Sequence, residues 1–168
     1  TWEFSESWRG LDVDWVAHDV LKFVDLISKR HGHLLEQLYS PLVVSGGPFF
    51  EELRELGRGC IIRPLYYHYS GFYQNQRKLL TGGRVSAKVV LGAYRVLLTG
   101  IHLLRSAEIL SHLPTLLEAY PLPKVNELIT LKADNAENSG LNEALVSDHR
   151  LALEKLEERL NSAFESSR

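Results

Sequence analysis

The sequence predicts a mainly α-helical fold with a short strand near the N-terminus. Apolar residues recur at steps of three and four over most of the chain, which is the period of a helix. Alternation at every second residue is clearest at residues 11–16, Leu-Asp-Val-Asp-Trp-Val, and this pattern indicates a strand. Glycine and proline stand between the periodic segments, where they would end helices.

The elements are expected in the following order. Residues 1–10, which hold Trp2 and Trp8, read as a connection or an edge strand before the strand at 11–16. The predicted helices then cover 19–30, 34–39, 48 to 57 or 59, 61–80 and 85–105. Three prolines, Pro114, Pro121 and Pro123, would cut the next part into short helices or turns. Residues 132–140 are polar and predict a mobile loop, and a last amphipathic helix would have Ser147 as its N-cap.

Composition sets bounds on the function. The 168 residues are enough for one domain with its own core, and a net charge of −2 argues against a protein that coats nucleic acid. The single cysteine, Cys60, excludes an internal disulfide and fits a reducing cytoplasm. No leader and no run of 18 apolar residues is visible, so no membrane contact is expected. The chain contains no methionine, which fits a piece of a longer protein or a sequence written without modified methionines.

The strand at 11–16 carries two candidate metal ligands. Asp12 and Asp14 are two residues apart, so both side chains would point to the same face of the strand and could meet one cation. Solvated charges on an edge strand are the alternative interpretation. The spacing alone leaves both open.

The helix predicted at 85–105 has a polar face as well as an apolar one. Val90, Tyr94, Leu97, Ile101 and Leu104 should face the core, and the other face carries Lys88, Gly92, Arg95, Thr99 and His102. Cations separated by small residues would suit a polyanion such as a triphosphate or an RNA backbone. A solvated basic face is the alternative.

The helix predicted at 61–80 is rich in aromatic residues. It contains Tyr66, Tyr67, His68, Tyr69 and Tyr73, followed by Gln76, Arg77 and Lys78. Tyrosine rings could stack on bases while the basic end meets phosphates. An aromatic stripe that packs into the core is the alternative, and the small residues Ser70 and Gly71 suggest a close helix crossing here.

Four segments together resemble a known family. They are residues 18–23 (HDVLKF), 34–41 (LLEQLYSP), 67–72 (YHYSGF) with Gln76, and 94–98 (YRVLL) with Lys88. In this order they resemble the bacterial predicted nucleotidyltransferases of the DNA polymerase β superfamily, a group that includes members associated with RNA-repair operons. The likeness runs over about residues 12–110. It departs from the family pattern at His31 and Gly32, where the family usually has Asn and Pro.

The resemblance implies an organisation for the chain. The family's phosphate-gripping Gly-Ser turn and the Asp-x-Asp strand after it are not found upstream of residue 11. The strand at 11–16 would then supply the family's third carboxylate. Residues 1–17 would be edge strands of the nucleotidyltransferase sheet, residues 18–168 a helical C-terminal domain, and the whole the back part of an α+β fold. The chain alone is expected to be inactive.

The resemblance also implies a chemistry. Such an enzyme moves a nucleoside monophosphate from a nucleoside triphosphate to a hydroxyl group in RNA or a small molecule, with two Mg²⁺ (or Mn²⁺) ions. Asp14 is expected to be catalytic and to bind metal, with Asp12 as a second metal ligand. Lys88, Arg95, His68 and Tyr69 are expected to bind the nucleotide.

A different class of function stays open from the sequence. A degenerate nucleotidyltransferase tail could be a non-catalytic helical module that binds a protein partner, because the last helix is amphipathic. The tyrosine-rich helix with its basic end would instead suit an RNA-binding domain. A Gly-Ser turn followed by Asp-x-Asp in the upstream coding sequence would favour the enzyme.

Overall fold

The computed structural model describes residues 1–134 and 140–167, and within them the prediction of a mainly α fold is confirmed. The chain begins with an antiparallel hairpin of β1 (Trp2–Trp8) and β2 (Leu11–Ala17). Arg9 and Gly10 form the turn with φ values of 52° and 80°. Two consecutive positive φ angles are typical of the tight turn that matches the twist of a hairpin. Residues 1–10 therefore supply a full strand.

The two faces of this hairpin differ in chemistry. In the register Phe4 lies opposite Trp15, and Trp8 lies opposite Leu11, so these side chains share an aromatic face. The other face carries Asp12 and Asp14, with Ser7 and Ser5 opposite them. Trp2 is 84% exposed and Trp15 is 62% exposed, so the aromatic face is open to solvent.

The other regular elements of the described fold are mainly helices. The α-helices are α1 (Val20–Ser28), α2 (Gly32–Leu38), α3 (Pro48–Gly57), α4 (Tyr66–Leu80), α5 (Ala87–Ser106), α6 (Leu113–Ala119), α7 (Pro123–Asp134) and α8 (Glu143–Ser166). Two short 3-10 turns, Arg58–Cys60 and Arg63–Leu65, join α3 to α4. The division into a strand domain at 1–17 and a helical domain at 18–168 stays a prediction.

Helix α5 is the centre of the core. It packs against α4 and α8 on its long sides and also contacts α6 and α7. Gly100 allows a close approach to α8 and α4, because a Cβ there would lie 2.9 Å from Leu160 Cδ1 and 3.0 Å from Tyr69 Cβ. By length and apolar composition α5 alone among the described helices could cross a membrane, but core helices pass the same test and 61% of it is buried here.

Three local predictions need correction. Helix α8 begins at Glu143 with Asn142 as its N-cap, whose side chain accepts a hydrogen bond from the Leu145 N–H at 2.8 Å, so the predicted cap at Ser147 is wrong. The α4 helix begins at Tyr66 because Pro64 lies in the preceding 3-10 turn. The predicted loop at 132–140 is helical up to Asp134, and its residues 135–139 lie outside the described part of the chain.

Candidate active site

The two carboxylates on β2 lie side by side on the polar face of the hairpin. Both are exposed, and the Ser5 hydroxyl donates a hydrogen bond of 2.7 Å to Asp14 Oδ1. This bond holds Asp14 and leaves its second oxygen available. Carboxylate oxygens are the ligands that Mg²⁺ prefers, usually one or two of them with water and phosphate oxygens. Across residues 1–134 and 140–167 no group of three His, Cys, Asp or Glu side chains is placed to hold a metal ion, so this pair would be part of a site.

A cleft of about 320 Å³ opens beside the carboxylate face. Val16, which lies on the same face as Asp14, borders it together with His18. Phe23 of α1, Gln37 of α2 and Phe50 of α3 also line it. The remaining lining is aliphatic and consists of Val20, Leu38 and Leu53. Mostly apolar clefts with a few polar groups are typical of small-molecule sites.

Arg95 is fixed by an acidic partner that the sequence analysis did not identify. One guanidinium N–H donates to Glu36 Oε2 of α2 at 2.5 Å. The two side chains are 32% and 11% exposed, so the ion pair is half-buried at the seam between α2 and α5. Glu36 belongs to the LEQ segment that carried part of the resemblance, but nothing in the sequence signals its pairing with a residue 59 positions later.

Tyr69 lies beneath this ion pair and does not reach solvent. Its side chain is fully buried, and burial together with the neighbouring Glu36 carboxylate raises the pKa of the hydroxyl far above its usual range. The hydroxyl therefore stays neutral. Tyr69 therefore cannot contact a ligand at the surface directly.

His68 is held neutral beside a pair of further histidines. Burial, together with charge repulsion from His33, His31 and Arg95, lowers the pKa of His68 to about 4. The buried Nε2 atom has no hydrogen-bond partner among the described residues. The ring also lies against Gly32, where a Cβ would be 2.5 Å from His68 Cδ2. This contact explains why glycine occupies position 32.

The predicted nucleotide-binding residues are thus only partly brought together. Arg95 and Tyr69 lie beside Glu36, and the His68 ring contacts Tyr69. The exposed Lys88 lies in the first turn of α5, about 10 Å along the helix from Arg95. Further along the same face, Thr99 is fully buried and His102 contacts Tyr120. Most of the predicted basic stripe is therefore a seam between helices.

The tyrosines of α4 are mainly core residues. Tyr69 and Tyr73 are buried, and Tyr66 stacks on Phe164 with ring centroids 4.1 Å apart while its hydroxyl donates to Asn161 Oδ1. Tyr67 alone among them is mostly exposed. The tyrosine rings of α4 therefore do not form an exposed row on which successive bases could stack.

Comparison with known protein families gives a match over nearly the whole chain. A model of the RNA repair pathway DNA polymerase beta family matches residues 6–168. The matched region contains both carboxylates of β2, the cleft and the Glu36–Arg95 pair. No curated protein and no solved structure matches the chain.

Proposed function

The chain belongs to the RNA repair pathway DNA polymerase beta family, and from this we propose that it serves the transfer of a nucleoside monophosphate from a nucleoside triphosphate to a hydroxyl group. The acceptor would be RNA or a small molecule. The observation that carries this proposal is the pair Asp12 and Asp14, exposed on one face of β2 next to a cleft of ligand size. In the reaction the acceptor oxygen bonds to the α-phosphorus, the bond from that phosphorus to the β-phosphate oxygen breaks, and pyrophosphate leaves.

Asp14 and Asp12 are suited to hold a divalent cation. Their oxygens are hard donors, they share one exposed face, and Ser5 restrains Asp14 through Oδ1. Bound Mg²⁺ or Mn²⁺ would offset negative charge on the phosphoryl oxygens. Asp14 is also the carboxylate that would accept the proton from the acceptor hydroxyl, with Asp12 as the second metal ligand.

Arg95 and Lys88 are the proposed contacts to the phosphates. Arg95 has five N–H donors in a planar fork, and the bond to Glu36 uses only one of its nitrogens, so the remaining donors can meet an anion. Tyr69 and His68 would support the Glu36–Arg95 pair from the interior of the protein. In this proposal they are positioning residues.

A transfer assay tests the proposed function. Full-length protein is incubated with Mg²⁺, each of the four labelled ribonucleoside triphosphates, and an RNA with a free 3′ hydroxyl or a panel of small hydroxyl compounds. Label should enter an acceptor with the parent protein and be lost with Asp14→Asn. Glu3→Gln, on the same face of the hairpin and opposite Val16, is the matched control and should keep activity.

A non-catalytic interaction module is the second candidate. The observation in its favour is the exposed aromatic face of the hairpin, with Trp2, Phe4, Trp8 and Trp15. The amphipathic α8 no longer supports it, because Leu153, Leu156 and Leu160 are buried in the core. A full-length protein that transfers no label to any acceptor would favour the module.

A further inference from the structure

The cleft between β2, α1, α2 and α3 is lined by side chains that take no part in the proposed phosphate and metal contacts. Phe23 and Phe50 supply aromatic rings, and Val16 and Leu38 supply aliphatic surface. Two polar side chains, His18 and Gln37, also reach it. His18 is engaged through Nδ1 with the Thr1 hydroxyl at 2.9 Å. The Gln37 side-chain amide, by contrast, has no hydrogen-bond partner within residues 1–134 and 140–167.

We propose that this cleft binds a single nucleobase. A base is a flat ring whose faces stack on aromatic side chains and whose edge carries hydrogen-bond donors next to acceptors. The Gln37 amide offers one acceptor and two donors, which complements such an edge. A purely aliphatic ligand would leave this amide unpaired and desolvated, at a cost to binding.

The position of the cleft supports the same ligand. Val16 lines the cleft and lies two residues from Asp14 on the carboxylate face of the hairpin. The cleft also continues, through Gln37 and Phe50, into a concave surface that includes Trp15 and Val43. On its other side Gln37 borders a polar depression formed with His33, Glu36 and Ser40. The sugar and phosphate of a nucleotide whose base occupies the cleft could therefore extend towards the carboxylate face or towards the depression at Glu36.

The base has two possible sources. It belongs either to the incoming nucleoside triphosphate or to the terminal nucleotide of an RNA acceptor. In both cases the base offers a flat ring and a hydrogen-bonding edge. The inference rests on the proposed function for its biological meaning. Binding measurements separate it from the transfer reaction, since a base site can be present whether or not transfer occurs.

Calorimetric titrations of the full-length protein test the inference with matched variants. Phe50→Leu removes the flat ring but keeps apolar volume, and Gln37→Met removes the amide from an exposed position on α2. Phe49→Leu is the control, because Phe49 is 59% exposed and adjacent on α3 but does not line the cleft. The titrants are the four ribonucleoside triphosphates, inorganic triphosphate and a short oligoribonucleotide.

Both cleft variants should weaken binding of a base-containing titrant about fivefold or more, while Phe49→Leu and the binding of inorganic triphosphate stay unchanged. Weaker binding of the nucleoside triphosphates identifies the incoming nucleotide as the source. Weaker binding of the oligoribonucleotide alone identifies the acceptor. Unchanged binding of every titrant in both cleft variants, or no binding by the parent, overturns the inference. Loss of transfer without loss of base binding would instead count against the proposed function alone.

Discussion

Glu36 and Arg95 join α2 to α5 through a hydrogen-bonded ion pair of 2.5 Å, and Tyr69 of α4 is buried beside it. Three helices therefore meet at one charged contact. The pair is half-buried, so removing one partner leaves the other partly desolvated without compensation. This contact gives Arg95 a structural role that a solvated cation would not have.

We expect Arg95→Ala to lower the free energy of unfolding by about 1–3 kcal/mol, because the Glu36 carboxylate loses its partner. From the sequence alone a change within about 0.5 kcal/mol would be expected, as for an exposed cation. Chemical denaturation measures the difference, and Arg159→Ala, at an exposed cation on α8, is the control. In a double-mutant cycle with Glu36→Gln, additive losses would show that the two side chains do not stabilise each other.

Gly100 and Gly71 form a second test, of helix packing. Gly100→Ala should destabilise the protein by about 1–3 kcal/mol, since the added methyl group would meet Leu160 and Tyr69 at 2.9 and 3.0 Å. Gly71→Ala should instead stabilise it by up to about 1 kcal/mol, because nothing lies within 4 Å of that position in the middle of α4. Thermal unfolding of both variants measures the contrast. Equal effects of the two substitutions would contradict the close approach of α5 to α4 and α8.

These two glycines also show what the sequence could and could not predict. The apolar period located the core face of α5 well, since Val90, Tyr94, Leu97 and Ile101 are buried. The hydrophobic period tells which face of a helix is buried, but it does not tell which neighbouring helix packs closest to that face or where. The close helix crossing lies at Gly100. Gly71 is exposed, so it does not form the close crossing that Ser70 and Gly71 suggested.

The candidate site was predicted unevenly for a related reason. Asp12 and Asp14 share a face because a strand has a period of two, which is a local rule. The partner of Arg95, the burial of Tyr69 and the cleft at Gln37 depend on contacts between elements distant in sequence. Likewise, Asn142 replaces Ser147 as the cap of α8 because Val146, upstream of Ser147, is buried and extends the packed face of the helix.

Stability should fall as the pH is lowered from about 6.5 towards 4. Burial and nearby positive charges lower the pKa of His68 to about 4, so between these values the unfolded chain binds a proton that the folded protein does not. Burial also lowers the pKa of His33, His102 and His149, which adds to the same trend. Melting temperatures of the parent and of His68→Gln, measured from pH 7.5 to 4.5, should show a smaller loss in the variant. An identical loss in both proteins would mean that His68 takes up its proton normally in the fold.

The buried hydrogen bond between Tyr94 and His149 should also matter for stability. The Tyr94 hydroxyl and His149 Nδ1 are 2.9 Å apart, and both side chains are almost fully buried between α5 and α8. Tyr94→Phe leaves the imidazole nitrogen without its partner, so we expect a loss of about 1–3 kcal/mol in denaturation experiments. Tyr67→Phe removes a hydroxyl from a side chain that is 64% exposed and should change stability by less than about 0.5 kcal/mol.

The assignment of Asp14 predicts opposite effects on metal binding and on stability. Asp12 and Asp14 are neighbouring carboxylates on one face, so each negative charge opposes the other until a cation is present. Asp14→Asn keeps an oxygen that can accept the Ser5 hydrogen bond, and the metal-free variant should therefore be as stable as the parent or slightly more so. Thermal unfolding without added metal, in the presence of a chelator, measures this first effect.

With Mg²⁺ or Mn²⁺ added, the melting temperature of the parent should rise more than that of Asp14→Asn, because a ligand that binds only the folded state stabilises it. Glu3→Gln also removes a charge from this face of the hairpin and should keep the full metal-induced rise. A loss of the rise in both variants would mean that the cation responds to the general charge of the face. If Asp12→Asn abolishes the rise while Asp14→Asn keeps it, Asp12 is the principal ligand. If neither aspartate variant changes the rise, β2 has no metal role, and the proposed function loses the observation that carries it.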